Sequence, residues 1–379
     1  MYKFLFAMIL TALLTAACVA QPTATPMPPT AAPPTVVPPT TVPPTAVPPT
    51  AVPPTAVPPT AVPLTPVPPT AVLPNASCPT ATTLESLVAC IANQMPGRGS
   101  EGYIVPDNTV LTDWRSVVAQ MLKGECDKIA LPASLRTNYA VKTLSDGGKG
   151  YCVLMEVMDA DSNGKVDKGW GTFVINNNPK RELSIQAPHV LSDLNTETQA
   201  IGVFKETDSR TLLLTGSHRE ANATASPCTG TSYKISDAAQ NSNAPFHATL
   251  QELIAYYDAR KVDFTALQFH GMAADSCPGH VYLSYGVATP PVAGDKILTL
   301  KANVLKYHSD WIVTVPGDTP ACTLNATQNV QGRLLNKVPA ENACTVAATG
   351  YTGKFIHIEQ DPNQRNAKDW IAAINEAWK

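Results

Sequence analysis

A run of proline and threonine from residue 21 to residue 74 decides where this 379-residue chain can fold and where it cannot. Four PPTAV units follow one another between residues 43 and 62, with further paired prolines on either side. Each proline holds φ near −65° and has no amide hydrogen, so neither a helix nor a sheet ladder runs through such a segment, and an extended polyproline II rod is left. At about 3.1 Å per residue, some fifty residues reach on the order of 150 Å. A core must therefore come from the residues beyond the rod. That stretch of about 300 residues, beginning near residue 77, is enough for one large domain or for a domain with an appendage.

Ahead of the rod, Lys3 precedes the apolar run FLFAMILTALLTAA. The run is too short to span a bilayer and ends in small residues, which is the pattern of an export signal. TAAC at residues 15–18 resembles the lipobox of bacterial lipoproteins, and that resemblance implies a mature chain beginning at a lipid-bearing Cys18. Cleavage after Ala17 without lipid is the alternative, since Thr15 and Ala17 are both small. Nine cysteines leave eight once Cys18 is set aside: Cys78, Cys90, Cys126, Cys152, Cys228, Cys277, Cys322 and Cys344. In an exported chain an even set without a CxxC pair reads as disulfides rather than metal ligands. Pairing of sequence neighbours is the expectation: Cys78 with Cys90, Cys126 with Cys152, Cys228 with Cys277, and Cys322 with Cys344.

A formal charge of −3 with 15% charged residues supplies no basic field for nucleic acid, and no second apolar run is long enough to cross a membrane. The expected partner is a small molecule or an extracellular polymer. Short apolar runs at 182–187 (ELSIQA), 211–215 (TLLLT), 264–269 (FTALQF) and 354–359 (KFIHIE) read as buried strands. Between them lie predicted helices: one capped by Thr196 and running to about Glu206, one over 246–259, and a last amphipathic one opening at 367–370. This alternation predicts an α/β domain with a mostly parallel or mixed central sheet flanked by helices. Upstream, two helices and then a hairpin of YCVLMEVM with WGTFVIN are expected.

The residues just past each buried strand carry the chemistry. ELSIQA leads to Pro188-His189, TLLLT to His218-Arg219, FTALQF to His270, and FIHI to Glu359. Ligands of open α/β sheets bind outside the carboxyl ends of strands, so these residues should share one rim. Two histidines and a carboxylate suit a catalytic Zn2+, which accepts N and O donors tetrahedrally and brings the pKa of a water down to about 7. Asp193, four residues after His189, supplies the carboxylate. Glu197 is the competing donor, but it sits in a first helical turn where its ordinary role is to favour the helix dipole.

Ala187-Pro188-His189, Asp193 and Thr196, with His270 at a later strand end and Glu359 followed by Arg365, resemble the zinc-carboxypeptidase-like amidohydrolases. Their poly-γ-glutamate hydrolase and N-formylglutamate amidohydrolase relatives are the most similar. The segment NVQGRLLN from Asn329 is similar as well. The resemblance covers roughly residues 181–379. It implies a zinc held by His189, Asp193 and His270, with Glu359 as general base, and Arg219 or Arg333 gripping a substrate carboxylate. His218 is left behind the ligands or facing substrate, because a fourth protein ligand would close the site. His247, His280, His308 and His357 are read as structural. The implied organisation is a signal peptide at 1–17, an extended linker at 18–76, an amino-terminal segment at 77–178 packed on or part of the domain, and a hydrolase-like catalytic domain at 179–379. The implied substrate is a γ-glutamyl polymer or a cell-wall peptide, with membrane contact only through the amino-terminal lipid. A non-catalytic surface binding module with a degenerate site is the alternative.

Asp159, Asp161, Asn163 and Asp167 form the DxDxNGxxD pattern of Ca2+ loops. Trp170 stands where a bidentate Glu would be, and strand-like runs flank the loop, so an Asx-rich turn is the competing reading. No GxSxG, HExxH or GxxxxGK is present, which argues against an elbow-type serine hydrolase, a zincin and a P-loop enzyme.

Overall fold

The computed structural model describes residues 78–228 and 232–379; the export signal, Cys18 and the proline-rich run lie outside the described residues. The described chain opens with two helices, α1 (Leu84–Gln94) and α2 (Asn108–Leu122). Thr83 and Ser86 form a capping box at the start of α1, and the Asp107 side chain accepts from Val110 N–H at the start of α2. Three strands come next: β1 (Tyr139–Asp146), β2 (Lys149–Glu156) and β3 (Thr172–Asn176). The expected partners β2 and β3 do pair antiparallel, but the tight hairpin is β1 with β2. Its turn, Gly147-Gly148, has positive φ at both residues, which suits the twist of paired strands. Gly-Gly between two eight-residue strands was the available signal for β1.

The remaining elements alternate except where β7 follows β6 directly: β4 (Arg181–Ala187), α3 (Thr196–Glu206), β5 (Ser209–Leu214), α4 (Pro245–Arg260), β6 (Thr265–Phe269), β7 (Val281–Ser284), α5 (Lys296–Tyr307), β8 (Val313–Thr314), α6 (Val330–Leu335), β9 (Phe355–Gln360) and α7 (Ala367–Ala377). Thr196 is the first helical residue of α3 rather than its cap; Asn195, left-handed at φ 71°, precedes it without a side-chain capping bond. The nine strands of the described residues form one mixed sheet in the order β1-β2-β3-β5-β4-β6-β9-β7-β8. Its centre, β5-β4-β6-β9, is parallel, and antiparallel pairs flank it.

Period-two alternation assigns the faces. Leu183, Ile185, Leu267, Phe269, Ile356 and Ile358 pack with α1, α3, α5 and α7. On the other face Phe173, Leu213, Ala266 and Phe355 meet α2, α4 and Leu335 of α6. Between β4 and β6 the chain reverses its direction of winding: β4 crosses through α3 to β5, and β5 returns through α4 to the far side of β4. That reversal opens a crevice at the carboxyl ends of β4 and β6.

Four disulfides join the described cysteines, the mark of an oxidising, extracytoplasmic compartment. Cys78–Cys90 and Cys126–Cys152 pair as sequence neighbours. The other two do not: the bridges are Cys228–Cys344 and Cys277–Cys322. Cys228 follows β5 and Cys344 follows α6, while Cys277 and Cys322 follow β6 and β8, so proximity there is set by the fold and not by order along the chain. Among the described residues no helix is long and apolar enough to cross a membrane.

Candidate metal centre

His189 leaves the end of β4 in a single helical turn, in which its carbonyl accepts from Ser192 N–H and Asp193 N–H, both at 2.8 Å. An i, i+4 pair lies on one face of such a turn, so the Asp193 carboxylate returns beside the imidazole it follows. His270 extends β6, and its N–H bonds the Ile358 carbonyl at 2.8 Å, which pins it to the strand bearing Glu359. Three donors then converge: His189 Nδ1 lies 3.1 Å from Asp193 Oδ2 and 3.1 Å from His270 Nδ1, and His270 Nδ1 lies 3.6 Å from Asp193 Oδ2. All three residues are buried.

Those separations test whether the donors fit a metal. Bonds of about 2.0–2.1 Å in a tetrahedron place neighbouring donors about 3.3 Å apart, so this triangle has the size that zinc needs. The far side of each ring agrees. His189 Nε2 faces Asp237 Oδ1 at 2.9 Å, and His270 Nε2 faces Gln268 Oε1 at 2.8 Å. With a hydrogen on each Nε2, both Nδ1 lone pairs point into the triangle. Three donors leave a fourth tetrahedral position open. His189, Asp193 and His270 therefore fit zinc as a ligand set.

Charge in the site is skewed towards a cation. Burial opposes a proton on His189, yet the Asp237 and Asp193 carboxylates push its imidazole up to about 10. Burial alone would raise Asp193, but His189 and then His270 hold it well below the usual carboxylate range. Burial lowers His270.

Glu359 lines the same cavity of about 310 Å³, together with Arg219, Tyr233 and Asn325. One of its carboxylate oxygens is within 4.8 Å of a ring nitrogen of His270. Burial pushes Glu359 up to about 8, with Asp193 adding to the effect. Arg219 is partly exposed, and its guanidinium lies 3.7 Å from Asp193 Oδ1.

Other predicted site residues lie elsewhere. Arg333 does not line the cavity; its guanidinium donates to the carbonyls of Thr327, Ala343 and Cys344, so it straps the cavity wall instead of reaching into it. His218 is also outside, its Nδ1 accepting from Glu220 N–H. Glu197 does not join the donor triangle, which Asp193 completes. Arg365 donates to the carbonyls of Gln360, Leu194 and Met272 and packs against Gly271, where a Cβ would meet it at 2.2 Å.

Two residues escaped the sequence reading. Asp237 lies in a long loop, and no spacing connects it to His189. His357, read as structural because it faces away from Ile356 and Ile358, in fact lines the cavity. Its Nε2 is 3.4 Å from Glu359 Oε1, and its ring centroid is 4.4 Å from that of His270. Residues two apart on a strand share a face, so the position of Glu359 already implied that of His357.

The Asp159 loop is a turn closed on itself. Asp159 accepts from Asn163 N–H and Gly164 N–H, Asp161 from Asn163 N–H, and Asp167 from Ala160 N–H. Its three carboxylates are close enough to share an ion, but each already accepts at least one backbone N–H of the turn. These bonds are those of the Asx-rich turn.

No known sequence family matches the chain, and no curated protein matches it. Among solved structures it is similar to a gene product of Agrobacterium tumefaciens at 13% identity, over 52% of this chain and 87% of that one, with a TM-score of 0.31. It is also similar to a metallo-carboxypeptidase from Burkholderia cenocepacia at 11% identity, over 68% of this chain and 66% of that one, with a TM-score of 0.28. For an aspartoacylase family protein from Mesorhizobium loti the figures are 9%, 63%, 69% and 0.31. Likeness at this level carries no argument about activity, which has to come from the geometry of the site.

Proposed function

We propose that this protein is an extracytoplasmic zinc-dependent amide hydrolase. The observation that carries the reading is the donor triangle of His189, Asp193 and His270, sized for a tetrahedral ion and backed on both imidazoles by acceptors that turn the Nδ1 lone pairs inward. Zinc bound there would supply an acidified water and polarise the scissile carbonyl. Glu359 is the residue placed to take the water's proton and to return it to the leaving amine, since it faces the same cavity and contributes no donor to the triangle. Arg219 is the cation at the mouth, suited to hold a substrate carboxylate through paired N–H donors. The cavity wall otherwise offers amides and hydroxyls, including Asn325, Gln328 and Thr327, which match a polar substrate.

The setting extends the proposal. An export signal, a Cys18 lipid and a long rod would hold the domain away from a membrane, within reach of capsule or wall. The substrate class proposed is therefore the γ-glutamyl or peptide bonds of those polymers. Elemental analysis of purified protein, together with turnover on γ-glutamyl oligomers and wall stem peptides, tests the reading. One zinc per chain with turnover is the expected result. Protein that cannot be loaded with zinc would overturn it, and stoichiometric zinc without turnover on any such substrate would favour a binding module.

A further inference from the structure

The His270 ligand atom must carry a lone pair, yet an imidazole left to itself can place its hydrogen on either nitrogen. The choice is made several bonds away, by backbone. Gly332 N–H, which can only donate, bonds Asn329 Oδ1 at 2.8 Å at the start of α6. This fixes the Asn329 amide, so that Nδ2 is the group 2.6 Å from Gln268 Oε1. Gln268 thus turns its oxygen towards Asn329, and the same oxygen faces His270 Nε2 at 2.8 Å.

A second backbone anchor orients Gln268 in the same sense. The Ala238 carbonyl, which can only accept, takes a bond from Gln331 Nε2 at 2.8 Å; Gln331 Oε1 then faces Gln268 Nε2 at 3.5 Å. Gln268 Nε2 also donates to Gln186 Oε1 at 3.0 Å on the neighbouring strand. Gln186, Gln268, Asn329 and Gln331 are all buried, so water does not substitute for a missing partner. Ala238 follows Asp237, so the ladder also steadies the segment that holds His189.

We infer that Gln268, with its polarity fixed by Asn329 and Gln331, is the positioning residue that commits His270 to metal through Nδ1. This inference rests on the proposed metal centre. The test is zinc affinity, measured by competition with a chelator, in wild type, Gln268→Met and Gln268→Glu, alongside thermal melting of each metal-free protein. Both variants lose the donor to Gln186 and Gln331, but only Met also loses the acceptor for His270. Gln268→Met should bind zinc about 10 to 100 times more weakly. Gln268→Glu should retain affinity within a few fold, despite its buried charge; a purely structural role would make Glu the worse replacement.

Wild-type affinity in Gln268→Met, or weaker binding in Glu than in Met, overturns the inference. Nitrogen NMR of the metal-free wild type needs no variant: it should find His270 with hydrogen on Nε2 and a bare Nδ1, and the opposite tautomer would sink the idea. A wild type that binds no zinc at all would instead count against the proposed function.

Discussion

Replacing Glu359 with Gln separates base from ligand. The side chain is 14% exposed and reached through the cavity, and Gln preserves its shape and an oxygen for His357 Nε2. Loss of a positioned proton acceptor costs roughly 10²- to 10⁴-fold in turnover. His357 is the neighbour in contact with Glu359 that could take over. Burial, with His270 and His189 beside it, holds His357 well below its usual range, so it is a poor base. Turnover should therefore fall towards the upper end, about 10³- to 10⁴-fold, which is about 4 to 5.5 kcal/mol of barrier. The donor triangle is untouched, so the variant should hold one zinc per chain with affinity within about tenfold of wild type. The assay pairs zinc stoichiometry with kcat and KM on a γ-glutamyl substrate. Loss of zinc would make Glu359 a ligand, and unchanged turnover would remove it from the mechanism.

Further perturbations probe the frame around the site. Asp237→Ala leaves the His189 Nε2 hydrogen unpaired and should weaken zinc binding about 10- to 100-fold, read by chelator competition; unaltered affinity would count against the outer role of Asp237. Burial pushes Glu156 up to about 8 from 4.5, against the bonds it accepts from Lys168 N–H and Gly169 N–H. The folded chain therefore keeps a proton that the unfolded chain loses, and this group's stabilisation, full below pH 4.5, declines by about 1.4 kcal/mol per pH unit up to about pH 8. Urea titrations across that range should lose this component in Glu156→Gln, and parallel slopes for the two proteins would refute it. Cys277→Ser with Cys322→Ser opens a 45-residue loop whose following residues line the cavity. Stability should drop by up to about 4 kcal/mol, with KM raised more than kcat is lowered; an unchanged KM would show that the bridge does not shape the cavity. A calcium-selective chelator should leave the melting temperature unchanged, because backbone donors already occupy the Asp159 turn; a fall that Asp161→Ala abolishes would restore the ion.

Sequence alone located the centre of this fold because its information there is local. Four buried strands announce themselves by short apolar runs, and a residue that closes such a run or follows it by one or two places must sit at a strand end. That is how His189, His270 and Glu359 could be placed on one rim from the sequence, and why Asp193, one turn after His189, came with them. The last two strands on the β8 side of the sheet carried weaker patterns: β7 has four residues and β8 two, too few to establish a period.

What only tertiary structure decided is what long loops bring together. Asp237 reaches His189 across 48 residues and Asn329 reaches Gln268 across 61, while Cys228 finds Cys344 rather than its neighbour in sequence. Loop closure grows only slowly more costly with length, so packing over the crevice outweighs proximity along the chain. Arg333 fell the same way: a guanidinium reads as a substrate clamp until the fold surrounds it with carbonyl oxygens.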